Sequence, residues 1–121
     1  MDDSQFEQRR EFFRLCYPKR AMPDIRLAGY RFHVSEVSEK GLRVLVEGGA
    51  SFGRGVSITG TLNLHEGRQV WVKGSVLRVE GKEVVLKLSE GPTFKDMVEE
   101  QRYMRQNYPS LYIKQTVDID E

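Results

Sequence analysis

Val56-Ser57-Ile58-Thr59-Gly60-Thr61-Leu62-Asn63-Leu64 alternates apolar or small residues with polar ones at every step. A period of two sustained this long marks a strand with one buried face. The stretch closes at His65-Glu66-Gly67-Arg68, which reads as a turn, and the alternation resumes at Val70, Val72, Gly74 and Val76. Across Glu80-Gly81-Lys82 it is answered by Val84, Leu86 and Leu88, so these last two runs predict a hairpin. Gly60 and Gly74 fall on the inward phase of their strands. A missing side chain there relieves crowding in a sheet that coils tightly.

Toward the N-terminus the same period continues. Leu42, Val44 and Val46 follow Gly41, and Tyr30, Phe32 and Val34 form a run before them. Ile25 and Leu27 alternate too, but the phase slips at Ala28-Gly29, which predicts a bend or bulge. Gly48-Gly49-Ala50-Ser51-Phe52-Gly53-Arg54-Gly55 reads as a glycine-rich connection. Beyond Gly91-Pro92 the period changes. Thr93 with Asp96 makes an N-terminal cap, Phe94, Met97, Val98, Gln101, Met104 and Tyr108 recur at helical spacing, and Pro109 ends the run. That stripe is expected to lie on the sheet or close one mouth of it, leaving Glu99, Glu100, Arg102 and Arg105 to solvent.

The fold expected is all-β with a C-terminal helix: about six short antiparallel strands closed into a small barrel, and a helix over about 93–108. Residues 1–14 form an N-terminal arginine arm, 15–109 the barrel with its helix, and 110–121 a tail that turns acidic and is at most partly ordered. A chain of 121 residues holds one such core.

Nineteen Lys and Arg against eighteen Asp and Glu give a net charge of +1, so nothing in bulk drives the chain to nucleic acid or an anionic membrane. Any anion site must be local. A barrel for single-stranded nucleic acid needs exposed aromatics along a basic groove, and here Trp71 faces away from Val70 and Val72 without such a field. Cys16 is the only cysteine and cannot form an intrachain disulfide, which favours a reducing compartment. Met1-Asp2-Asp3-Ser4-Gln5 lacks the basic-then-apolar order of a signal peptide, and no apolar run approaches the ~20 residues of a membrane span. The expectation is a cytoplasmic protein without membrane insertion, monomeric or weakly dimeric.

Catalytic signatures fail on context. Gly49-Ala50-Ser51-Phe52-Gly53 matches a G-x-S-x-G nucleophile elbow, but a strand follows where the elbow needs a helix. No Asp or Glu lies between Ser51 and His65 to complete the usual order of a triad. The loop lacks the Lys and Ser/Thr of a P-loop. His33 and His65 stand alone, without metal-ligand or acid/base company within sequence reach. Neither an enzyme nor a metal or cofactor site is expected.

Arg9-Arg10-Glu11-Phe12-Phe13-Arg14 puts three guanidinium groups in six residues ahead of the first strand. A guanidinium binds phosphate bidentately and pairs with the O6 and N7 acceptors of guanine, which an ammonium does poorly. The same spacing serves an amphipathic segment with Phe6, Phe12 and Phe13 inward and the arginines solvated. A second polar segment, Glu36-Val37-Ser38-Glu39-Lys40-Gly41, is a strand-to-strand turn ending in a glycine suited to positive φ.

Taken in order, Arg10-x-x-x-Arg14 and the Ser38-x-x-Gly41 turn resemble the two signature motifs of the PilZ domain family. The resemblance extends to Gly74-Ser75-Val76, to Glu99-Glu100-Gln101-Arg102-Tyr103 and to Tyr108-Pro109, covering residues 6 to 109. It implies a six-stranded antiparallel barrel that binds cyclic di-GMP, often as two stacked molecules, under an N-terminal arm that folds over the ligand. By position, Arg10 and Arg14 would grip phosphates and guanine Hoogsteen edges with Arg9 as auxiliary. Ser38 would supply a hydroxyl, and Gly41 the tight turn. Where the family's turn usually begins with Asp or Asn this chain has Glu36, whose carboxylate accepts from guanine N1 and N2 but reaches one methylene farther. A family residue near Leu77 or Arg78 packs against a base: if it is Arg78, the guanidinium would stack by a cation–π contact, and if it is Leu77, only apolar contact remains. The function implied is a bacterial second-messenger receptor that signals to an effector protein in motility or biofilm regulation. The alternative is a PilZ-like adaptor that has lost the ligand and acts by protein contacts.

Overall fold

The computed structural model describes residues 13–46 and 52–110. Its strands are β1 (Leu15–Cys16), β2 (Asp24–Leu27), β3 (Tyr30–Val37), β4 (Gly41–Leu45), β5 (Ser57–Asn63), β6 (Gln69–Glu80) and β7 (Glu83–Glu90), followed by one helix, α1 (Phe94–Asn107). All pairings are antiparallel. The order β3-β2-β5-β6-β7-β4 closes through a β3–β4 pairing into the expected six-stranded barrel. The two-residue β1 continues the edge that β2 occupies, pairing with the far end of β3.

Alternation sorts the two faces. Leu15, Val37, Leu42, Leu86 and Val76 form one cross-strand row through β1, β3, β4, β7 and β6, and all are at most 2% exposed. Gly60 and Gly74 mark where the wall is tightest. A Cβ on Gly60 would lie 2.2 Å from the Arg26 carbonyl oxygen, and one on Gly74 2.0 Å from that of Lys87.

Three expectations about the strands change. Ala28-Gly29 is no bulge but a two-residue hairpin turn between β2 and β3, both residues at positive φ (53° and 83°). That geometry matches the twist of the flanking strands, which is why the phase slips there. The bulges lie elsewhere, at Ser35 in β3, Leu77 in β6 and Ser89 in β7, each an extra residue in its ladder. Val56 and Tyr30, on the inward phase, sit at strand ends and are exposed.

The helix begins where expected, with a capping box: Asp96 N–H donates to Thr93 Oγ1, and Thr93 N–H to Asp96 Oδ2. Its buried face is Met97, Glu100 and Met104, whereas Phe94 is 69% exposed. Glu100, expected in solvent, has no exposed surface at all. Tyr17 Oη donates to its Oε2 at 2.7 Å, His65 N–H donates to its Oε1 at 3.2 Å, and His65 Nδ1 lies 2.6 Å from Oε2. The His65 ring stacks on Tyr103 at 4.2 Å. The helix is thus pinned to the chain just after β1 and to the β5–β6 turn, and His65 does have acidic company. Residues 48–51 of the expected glycine-rich connection lie outside the described residues, as does the tail beyond Ser110.

Candidate functional site

Antiparallel register brings distant motifs together on the outer wall. Cys16, Glu36, Arg43, Val85 and Arg78 are cross-strand partners in sequence from β1 to β6. Two of the seven residues expected at the site, Glu36 and Arg78, therefore share one row. With strands about 4.8 Å apart, three steps separate them by about 14 Å. Of the two residues named for the far contact, Arg78 is paired across from Val85, and Leu77 is the extra residue of a bulge.

The neighbouring outward row starts at the polar turn. Gly41, Lys87, Ser75 and Ser57 pair in succession across β4, β7, β6 and β5. At its other end Leu15 pairs with Val37, and Arg14 and Ser38 are the residues next to that pair, just outside the two strands. Arg14 is exposed. Arg9 and Arg10 lie outside the described residues.

Ser38 is buried, and the turn is held by its own backbone and hydroxyl. Ser38 N–H donates to the Gly41 carbonyl at 2.9 Å and Ser38 Oγ to the same oxygen at 3.2 Å. With its proton so used, the hydroxyl keeps its lone pairs as acceptors. Gly41 is not at positive φ, contrary to expectation. It is the first residue of β4, in extended backbone, and a Cβ there would sit 3.3 Å from the Leu86 carbonyl oxygen and 3.6 Å from Ser38 Oγ. Glycine here serves close packing rather than handedness.

Arg43, which sequence reasoning passed over, organises the row. Its Nη1 donates to Glu80 Oε1 at 2.9 Å and Glu83 Oε1 at 3.1 Å, and its Nε lies 3.7 Å from Glu36 Oε1. Arg78 pairs with the other oxygen of Glu80, and Ser35 Oγ donates to Glu83 Oε2 at 2.8 Å. Hydrogen bonds from Arg78 and then Arg43 hold the Glu80 carboxyl down at about 2. The bond to Glu80 is also the main reason the Arg43 guanidinium is pushed further up. The signal was available: Arg43 lies between inward Leu42 and Val44, so alternation turns it outward.

Glu36 is already engaged. Cys16 Sγ donates to its Oε1 at 3.6 Å, the same oxygen that faces Arg43, and Oε2 accepts no hydrogen bond among the described residues. Burial, then the Glu36 charge, pushes the Cys16 thiol up to about 11. Chemically the wall offers Arg14 and the Ser38 hydroxyl beside one open carboxylate oxygen, with an exposed guanidinium at Arg78. This set suits a ligand bearing both phosphate and paired N–H donors. Among the described residues no three His, Cys, Asp or Glu side chains converge on a metal-sized site, and no helix is long and apolar enough to cross a membrane.

Comparison with known proteins agrees with this fold. The family model of the PilZ domain matches residues 8–106. No curated protein sequence matches the chain. Among solved structures, the Bacillus subtilis inhibitor of motility (MotI/DgrA) superposes with a TM-score of 0.64 at 22% identity, covering 82% of this chain and 51% of that one. This chain thus spans about half the length of that protein. The Legionella protein Lpg0364 superposes with a TM-score of 0.53 at 17% identity, over 78% of this chain and 99% of that one.

Proposed function

This chain belongs to the PilZ domain family, a family of cyclic di-GMP receptors, and from that membership we propose that it binds cyclic di-GMP and signals the bound state to a partner protein. The observation that supports the reading is the register that lines up Glu36, Arg43 and Arg78 on one row of the outer wall, with Arg14 and Ser38 flanking the Leu15–Val37 pair beside it. Arg10 and Arg14, with Arg9 as auxiliary, take phosphate oxygens and the Hoogsteen edge of a guanine as planar forks of donors. Ser38 meets the ligand with its hydroxyl, Gly41 keeps the turn flush with the wall, and Glu36 Oε2 accepts from guanine N1 and N2.

Arg78 provides the far contact. Its guanidinium is about half exposed and can lie over a base face, a cation–π contact worth ~0.5–2 kcal/mol. Ordering of the N-terminal arm over the ligand then changes the surface offered to a partner. A ligand shifts such an arm only by its differential affinity for the ordered state, so the switch depends on contacts the free arm does not make.

A second reading has its own support. Glu36 stands where the family's turn usually has Asp or Asn, and its Oε1 is held by Arg43 and Cys16. A carboxylate so committed suits an adaptor that has dropped the ligand and keeps protein contacts only. Displacement of a fluorescent cyclic di-GMP analogue separates the two. For a receptor, Arg14→Ala weakens binding about 10- to 100-fold, the ~1.5–3 kcal/mol of a lost charge-assisted contact, while Arg26→Ala on the opposite wall changes it less than twofold. Binding seen only after Glu36→Asp identifies the adaptor.

A further inference from the structure

The outer wall beyond the polar turn contains a cleft of about 500 Å³ whose lining includes Ser57, Thr59, Lys73, Ser75, Lys87 and Ser89. Its origin is local. At Gly74 the β6–β7 ladder slips, Lys73 pairing with Glu90 and Gly74 with Leu88, which throws Ser89 out as an extra residue. With no side chain on Gly74, the Lys87 carbonyl closes to where a Cβ would be, and the wall dents.

The dent gathers two lysines and four hydroxyl side chains. Arg31, Arg43, Arg68, Arg78 and Arg102 each face a carboxylate. Lys73 and Lys87, like Lys40, Lys82 and Lys95 elsewhere on the surface, make no ion pair among the described residues, although Glu90 is the register partner of Lys73. No carboxylate lines the cleft. Ser57, Thr59 and Ser75 carry hydroxyls without a hydrogen-bond partner among the described residues, and only Ser89 Oγ is used, donating to the Lys73 carbonyl at 3.1 Å. Two ammonium groups and three unengaged hydroxyls opening on one dent make a donor-rich surface. In a chain whose net charge is only +1, this positive excess is local.

We propose that this cleft is an anion site for a phosphoryl group, with Lys73 and Lys87 supplying charge and Ser57, Thr59 and Ser75 supplying directional donors. An ammonium binds phosphate as a point charge, and hydroxyls rotate to fit a tetrahedral set of oxygens. A cation gains nothing beside two ammonium groups. The site stands apart from the arginine arm, yet Lys87 is the register partner of Gly41, so the cleft starts one strand from the Ser38–Gly41 turn. The phosphoryl group therefore has two sources: a ligand seated on the turn and reaching over, or an independent phosphate ester.

Amide chemical-shift titration of the full chain with inorganic pyrophosphate at fixed ionic strength tests this. The expected result is saturable shifts concentrated at Lys73–Ser75 and Lys87–Ser89, weakened at least tenfold by the double substitution Lys73→Gln with Lys87→Gln. Ser57→Asp, which places a like charge in the cleft, is expected to do the same without touching either lysine. Shifts that fail to saturate, spread evenly over all basic residues or survive both variants would overturn the proposal. A parallel titration with cyclic di-GMP names the source: a tenfold loss in the double variant assigns the cleft to the dinucleotide, and an unchanged affinity assigns it to a separate ester. Absence of cyclic di-GMP binding with pyrophosphate binding intact would reject the receptor reading and leave this site standing.

Discussion

Glu100 shows what a single residue can conceal. Helical spacing sends it to solvent with Glu99, yet the folded chain buries it completely under Tyr17 and His65, which lie 83 and 35 positions away. A buried carboxylate persists only when hydrogen bonds replace its water, and no local pattern announces partners that remote. Glu100→Ala leaves Tyr17 Oη and His65 without their acceptor and is expected to cost about 2–4 kcal/mol of folding stability in urea titration. Arg43 is the contrasting case, legible from alternation as an outward residue but not as the centre of three carboxylates. At Cys16, Glu36→Gln removes a charge that helps hold the thiol near 11. Alkylation by iodoacetamide at pH 8 is expected to quicken in that variant; an unchanged rate would show that burial alone controls the thiol.

At the scale of elements the barrel was readable because its physics is periodic. Strand β5 alternates without a break, β6 and β7 alternate up to their bulges, and the inward glycines sit where backbone from the next strand fills the space of a side chain. Gly74→Ala is expected to lower stability by at least about 1–3 kcal/mol, since the obstructing atom is the Lys87 carbonyl and not a movable side chain. The helix start was equally legible from Thr93 and Asp96. Thr93→Ala is expected to cost about 1 kcal/mol, visible as a small loss in the midpoint of thermal unfolding. Less legible were the bulges at Ser35, Leu77 and Ser89, because an extra residue in one strand is defined only against its partner. The Leu77 bulge matters most for the site, since it puts Arg78 rather than Leu77 in register with Val85.

For the molecule as a whole, ionisation brackets stability from both sides. Glu80 is held at about 2 against an ordinary 4.5, so its contribution is complete above about 4.5 and disappears as pH falls toward 2. Tyr17 is shifted the other way, upward from 10, chiefly by burial and then by Glu100. Its contribution is complete below pH 10 and is lost as pH rises beyond that, where the unfolded chain releases a proton the folded chain keeps. Urea unfolding across pH 3 to 11 is expected to give a plateau between these limits, and Tyr17→Phe to flatten its alkaline edge.

The candidate site is likewise a property of the closed barrel. Arg14, Ser38, Glu36 and Arg78 could each be picked from the sequence, but only the register of β1, β3, β4, β7 and β6 puts them on neighbouring rows. Isothermal titration of the intact chain with cyclic di-GMP tests the central claim most directly. The account predicts a saturable heat with a micromolar or tighter Kd that Arg14→Ala weakens at least tenfold, and the absence of binding at tens of micromolar would contradict it.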